Sequence, residues 1–303
     1  MTLTGTNADV RTMVNPSDEG IVAAGILAVI NGKSSGLSGD LDANVTAAAK
    51  SLLSAKGKSL VLAGSNVRAT QNIVAAINQA LGNYGSTLDL ESPSLAYRGD
   101  DDSVRQLLLD MNSGRVSTLI TYSCNPSYDL PNAAEFNDGL AKVKTSVCLN
   151  GVADETASRS TYVAPDHHFL ESWNDLSIEL GRIDLVQPAI EPLYATRSAG
   201  ESFLTWAGAE LTDWYTFIRT QYNPSYTPEG MYSDVEWNSA VHDGTFKVDA
   251  ENALPVYDED YDLNGSLGIV KQNSEKAGAM QLATYVKSAM GAGNHAANPM
   301  LQE

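Results

Sequence analysis

Residues 117–149 read STLITYSCNPSYDLPNAAEFNDGLAKVKTSVCL. An apolar run, Ser117–Tyr122, leads into a turn-rich loop, a short helical stretch at Ala133–Leu140 and a second apolar run at Thr145–Leu149. Short apolar runs rich in β-branched residues and bounded by turn residues read as buried strands. Two strands joined through a helix make a parallel pair, because a tight hairpin cannot return the chain to a parallel start. This unit sets the fold class expected here: α/β, a doubly wound, mostly parallel sheet with helices on both faces.

Working outward, Ser59–Ala63 (SLVLA), between Gly57 and Gly64, reads as a further buried strand. Ile21–Ile30 reads as a helix with Ser17 as its N-cap, and Asp42–Ala55 as another. Arg68–Leu81 sets Ile73, Ala76, Ile77 and Ala80 on one helical face, and Asp101–Met111 repeats the pattern. Gly32, Gly57, Gly82 and Gly114 mark the four helix stops. Toward the C-terminus, Thr161–Ala164 is extended and Ile183–Ile190 reads as a strand ended by Pro188. Ala199–Tyr222 reads as one amphipathic helix, Asn223–Gly268 as loop, and Lys276–Ala289 as helix. The expected division is an α/β domain over 1–200 and a helical, loop-rich acidic region over 201–303.

The chain has 303 residues, 37 acids against 19 bases, and a formal net charge of -18. Residues 1–150 carry 11 bases and 14 acids, a net of -3, whereas 151–303 carry 8 and 23, a net of -15. Such a surface repels nucleic acid and anionic membrane alike, so a nucleic-acid partner is excluded. The acidic half is a solvated face or a docking face for a basic partner. The longest apolar run is Ile21–Ile30, too short to span a bilayer and preceded by Asp18 and Glu19 rather than by a basic leader. Two cysteines, Cys124 and Cys148, cannot form a four-thiolate cluster or an all-cysteine zinc site, and both read as buried small hydrophobes.

Ligands of such sheets bind beyond the carboxyl ends of the strands. The loops there are Gly64-Ser65-Asn66, Cys124-Asn125-Pro126-Ser127 and Asn150–Thr156. Neither a GxGxxG nor a P-loop accompanies them, and no GxSxG occurs. His167-His168 lacks a third metal ligand. Asp260–Gly265 matches the start of a calcium loop, but Lys271 stands where the bidentate Glu belongs, so the segment reads as a turn.

Several segments together carry a resemblance. Residues 5–31 (GTNADVRTMV…EGIVAAGILAVIN), 57–85 (GKSLVLAGSN…AAINQALGNYG), 119–131 (LITYSCNPSYDLP) and 154–165 (DETASRSTYVAP) resemble a molybdopterin oxidoreductase catalytic chain. In that family an AGS loop, an NP loop and an ET-A loop surround the pterin. HFLESW at 168–173 and VQPAIEPLY at 186–194 are similar to the iron–sulfur subunit of bacterial alternative complex III, a quinol oxidoreductase, and NPMLQE at 298–303 resembles the junction before that subunit's cluster-binding part.

The resemblance implies a non-catalytic scaffold segment of a longer subunit, with no catalytic residue, metal or cofactor of its own. Iron–sulfur clusters would lie in a part following Glu303, and molybdopterin would be absent. Partners would include cytochrome c-type subunits and integral membrane quinol-binding subunits, on the periplasmic side of the inner membrane. The vestigial pocket carried over by motif is Gly64, Ser65 and Asn66, then Asn125 and Pro126, then Asp154, Glu155 and Thr156. Trp173 stands where working enzymes carry a small step and is expected to fill the pterin space. The alternatives are a fragment of a working molybdopterin-dependent oxidoreductase, or an independent α/β module that binds a small molecule.

Overall fold

A computed structural model of the chain describes residues 3–96, 99–221, 234–248, 261–285 and 298–301. The helices are α1 (Leu3–Asn7), α2 (Glu19–Ile30), α3 (Gly39–Ser54), α4 (Arg68–Ala80), α5 (Asp101–Asn112), α6 (Pro126–Asp129), α7 (Ala133–Leu140), α8 (Ala199–Trp206), α9 (Trp214–Gln221), α10 (Asp234–Asp243) and α11 (Leu263–Glu275). The strands are β1 (Thr118–Thr121), β2 (Thr145–Cys148), β3 (Tyr162–Val163), β4 (Asn174–Glu179), β5 (Arg182–Val186) and β6 (Thr245–Lys247). The chain folds into two compact units: Met1–Pro93 with Asn252–Tyr285, and Ser94–Glu251 with Val286–Glu303.

The first unit is helical. Its core is Leu27 from α2, Ile73 and Ile77 from α4, Leu81, and Val270 from α11, all buried. Burying such a side chain contributes roughly 1.5–3 kcal/mol. Helix α2 is apolar nearly all round, and packs closely because Gly20 has no side chain: a Cβ there would lie 2.6 Å from Val270 Cγ1. Its N-cap is Asp18, preceded by a 3-10 turn over Pro16–Asp18, so the cap falls one residue after the expected Ser17.

Helix α11 occupies part of the stretch read as loop. The acidic turn before it is the cap: Asp262 Oδ1 accepts from the Gly265 N–H at 2.8 Å. Leu263, Leu267 and Val270 recur at helical spacing and pack on the first unit's core. The helix expected at 276–289 is not formed over 276–285, and 286–289 lie outside the described residues.

Ser59–Ala63 forms no strand and pairs with none among the described residues. Side chains satisfy its backbone instead. Asn78, buried on α4, donates from Nδ2 to Val61 O at 2.8 Å and accepts the Val61 N–H at 3.0 Å. Thr87 Oγ1 donates to Ser59 O, and Gln71 Nε2 to Ala63 O. Contrary to expectation the run is not buried, since Leu60 and Leu62 are exposed, and the partners of its backbone come from side chains rather than from a strand.

The second unit holds the parallel sheet, in the order β1-β2-β3 with β2 central and both pairings parallel. Helices surround it, as the strand–helix alternation predicts. Leu108 and Met111 of α5 meet Phe136 and Leu140 of α7 in one buried cluster. A second sheet, antiparallel in the order β4-β5-β6, was not expected. Its signal was present in the alternation of Leu176 and Ile178 with polar neighbours before Gly181, whose φ of +79° turns the hairpin. Strand β5 stops at Val186, short of the expected Ile190.

The helix expected over 199–222 is two, α8 and α9. Gly208, at φ +69°, closes the first, and Trp214 folds back against Gly200. A side chain at Gly200 would run into the Trp214 indole. Among the described residues no helix is long and apolar enough to cross a bilayer.

Candidate functional site

Beyond the carboxyl ends of β1–β3 the second unit opens a cleft of about 1470 Å³. Strand ends in a parallel sheet point their loops to one edge, which is why the cleft forms there. Its lining comes from the loop after β1 (Ser123–Asn125, Tyr128, Asp129), the loop after β2 (Leu149–Glu155, Ser158), the loop after β3 (Pro165–Glu171) and the segment Ile190–Thr196.

The first two loops are cross-linked. Asn125 Oδ1 accepts from the Thr156 N–H at 3.1 Å and from Thr156 Oγ1 at 2.7 Å. Asn125 Nδ2 donates to Glu155 Oε2 at 2.7 Å, and the Ser127 N–H donates to Thr156 Oγ1 at 3.1 Å. That bond to Asn125 holds the Glu155 carboxyl below the ordinary carboxylate range. Asp154 Oδ1 accepts the Ala157 N–H at 2.8 Å, and Asp154 Oδ2 accepts from Asn150 Nδ2 at 2.6 Å. Thus Asn125, Asp154, Glu155 and Thr156 come together, with Pro126 opening α6 between them. Gly64, Ser65 and Asn66 belong to the first unit, where Ser65 O accepts from Gln71 Nε2, and every described residue of the cleft lining belongs to the second.

The third loop is tied by two carboxylates. Asp166 Oδ1 accepts the N–H groups of His167 and Ala199. Glu171 accepts the His168 N–H at Oε2 (2.9 Å) and the Leu193 N–H at Oε1 (3.0 Å), which fastens 190–196 to the wall and lowers the Glu171 pKa. Asp129, Asp166 and Glu171 were not singled out from sequence; Asp129 bonds locally to the Asn125 N–H, whereas the ties of Asp166 to Ala199 and of Glu171 to Leu193 reach groups distant in the chain.

Ser123, entering the cleft, is held at φ +52°, a left-handed conformation uncommon for a residue with a side chain. Cys148 is buried as expected, but Cys124 is exposed and lines the cleft. Partial loss of hydration around its sulfur, with Cys148, Asp129 and Asp154 near, raises the thiol pKa. Among the described residues no three His, Cys, Asp or Glu side chains are placed to hold a metal ion.

Trp173 does not fill this cleft. Its ring packs against Tyr215 (4.9 Å between centroids) and Trp237 (6.0 Å), and its carbonyl accepts from Trp214 Nε1 at 3.0 Å. The indole is drawn into an apolar cluster with Leu185 and Ile218, where burial is worth more than at an open wall.

No family model matches the chain. Over 94 residues it is 33% identical to the menaquinone reductase molybdopterin-binding-like subunit of Nitratidesulfovibrio vulgaris (strain Hildenborough). The match covers 30% of this chain and 14% of that protein's length. The chain therefore bears a molybdopterin-oxidoreductase-like relation over part of its length, and spans a small part of the relative it matches.

Proposed function

We propose that this chain is a non-catalytic α/β scaffold of a membrane-bound, quinone-linked electron-transfer complex, of the alternative complex III type. In this reading it lies on the periplasmic side and contacts cytochrome c-type and integral membrane quinol-binding subunits. Its two cysteines leave any iron–sulfur clusters to polypeptide other than residues 1–303.

The observation that carries the reading is the 33% identity over 94 residues with a subunit named for menaquinone reduction and for a molybdopterin-binding-like character. The parallel-sheet cleft is the place where a member of such a fold would hold a ligand. Its lining does not fit a pterin dinucleotide. That group carries phosphate charge, which proteins match with arginine, lysine and helix N-termini. The cleft presents Asp129, Asp154, Glu155, Asp166 and Glu171 with His167 and His168, and neither lysine nor arginine among the described residues.

Metal analysis of the protein purified with its native complex tests the reading. Molybdenum and tungsten far below one atom per chain are expected. Stoichiometric molybdenum or tungsten would overturn it in favour of a working molybdopterin oxidoreductase.

A further inference from the structure

We propose that the cleft beyond β1–β3 is a docking groove for a basic, apolar segment of a partner polypeptide, one carrying arginine or lysine beside aromatic or aliphatic side chains. This rests on the reading above only in placing that polypeptide in the same assembly.

Three observations carry it. The first is charge. Five carboxylates line the cleft without a lysine or arginine, and none of the five forms an ion pair among the described residues. Asp154 and Glu171 are met by amides and Asp166 by amides and the Tyr122 hydroxyl, while His167 and His168, which also line the cleft, act on Glu171, so no lysine or arginine among the described residues neutralises them. A cationic ligand gains most from such a surface.

The second is an unsatisfied acceptor in the cleft wall. Asn150 lines the cleft and is 9% exposed. Its Nδ2 donates to Cys124 O at 2.8 Å and to Asp154 Oδ2 at 2.6 Å, while its Oδ1 receives a hydrogen bond from no described residue. A buried acceptor without a donor is costly, and it marks the wall beside Asp154 as incompletely bonded in the free chain.

The third is the rim. Val152, Phe169, Leu193 and Tyr194 line the same cleft and are exposed, Phe169 at 64% and Tyr194 at 78%. Clustered exposed apolar side chains mark interaction sites, and aromatic residues around a charged centre are the composition of protein interfaces. Size favours a polypeptide over a small molecule, because about 1470 Å³ exceeds the roughly 300–1,000 Å³ of small-molecule pockets.

The test is site-specific photo-crosslinking in the native complex. A benzophenone amino acid replaces Phe169 or Leu193, both exposed, and replaces Leu109 on α5 as a control. The expected result is a covalent adduct from 169 and 193 to one partner segment bearing lysine or arginine, and none from 109. Charge reversal by D129K with E155K should cut the yield about tenfold, while the neutral pair D129N and E155Q cuts it less. The proposal is overturned by no adduct to another polypeptide, by an adduct to a segment without basic residues, by equal adducts from 109, or by a yield indifferent to charge reversal. Metal content is read separately, so molybdenum in the cleft would sink the scaffold reading, whereas a molybdenum-free complex without the adduct sinks the docking groove alone.

Discussion

Ser59–Ala63 in the first unit and Thr145–Cys148 in the second are both short apolar runs beside helices, yet only the second is a strand. Thr145–Cys148 lies between β1 and β3 and exchanges backbone hydrogen bonds with both. Ser59–Ala63 has Asn78, Gln71 and Thr87 as partners. The difference teaches that apolar composition alone neither buries a segment nor makes it a strand: Leu60 and Leu62 of the first run stay exposed, whereas Ser146 and Cys148 of the second are buried between paired neighbours. The first unit is consequently held by helix packing, and the second by a sheet whose loops are free to build a cleft.

Four experiments sharpen or break this contrast. The largest effect is expected for Ile77→Ala, which empties the centre of the first unit's core. A loss of about 4 kcal/mol follows from the cavity left behind, read as faster amide exchange in α4 and α11. All four tryptophans, at 173, 206, 214 and 237, belong to the second unit. Their denaturation transition should move less than the exchange; equal shifts would mean that the two units unfold as one, and the contrast would fail.

Gly200→Ala is the counterpart in the second unit. A methyl driven against the Trp214 ring should cost about 3 kcal/mol, seen as a lower denaturant midpoint of tryptophan emission. A neutral outcome would show that α9 can shift away from α8.

Asn78→Ala addresses the pseudo-strand itself. Leaving Val61 N–H and C=O without their partner should cost about 2 kcal/mol, with exchange at Val61 accelerating most. If Val61 stays protected, its order does not depend on the side-chain clamp.

The smallest effect concerns the cleft loops. Glu155 has a lowered pKa because Asn125 donates to it. A depressed folded value means that the bond stabilises the fold above the unfolded pKa and ceases to do so as the pH falls through the folded one. Asn125→Ala should return the Glu155 titration, followed by carboxyl-carbon NMR, to the ordinary range. An unchanged titration would remove Asn125 as the tie between the two loops.

Local features were legible from residues alone. Helices α4, α5 and α7 fall within a residue or so of their expected bounds, and Gly32, Gly57, Gly82 and Gly114 take positive φ at the stops. Of the cleft lining, Asn125, Asp154 and Glu155 were named through a resemblance, as was Thr156, which lies buried behind it, though their mutual bonds could not be. Asn125 and Thr156 lie 31 residues apart and meet only because β1 and β2 are parallel neighbours.

The sequence by itself determined the helix stops, the strand–helix–strand unit and the concentration of acid in the second half, because these follow from backbone preference, periodicity and count. Tertiary structure alone decided that Ser59–Ala63 would not join a sheet, that Asp262 would cap a helix rather than turn a loop, and that Trp173 would sink into an aromatic core instead of filling the cleft. Each of those outcomes is a competition between partners distant in sequence, settled by which contact buries more surface and leaves fewer polar groups unmet.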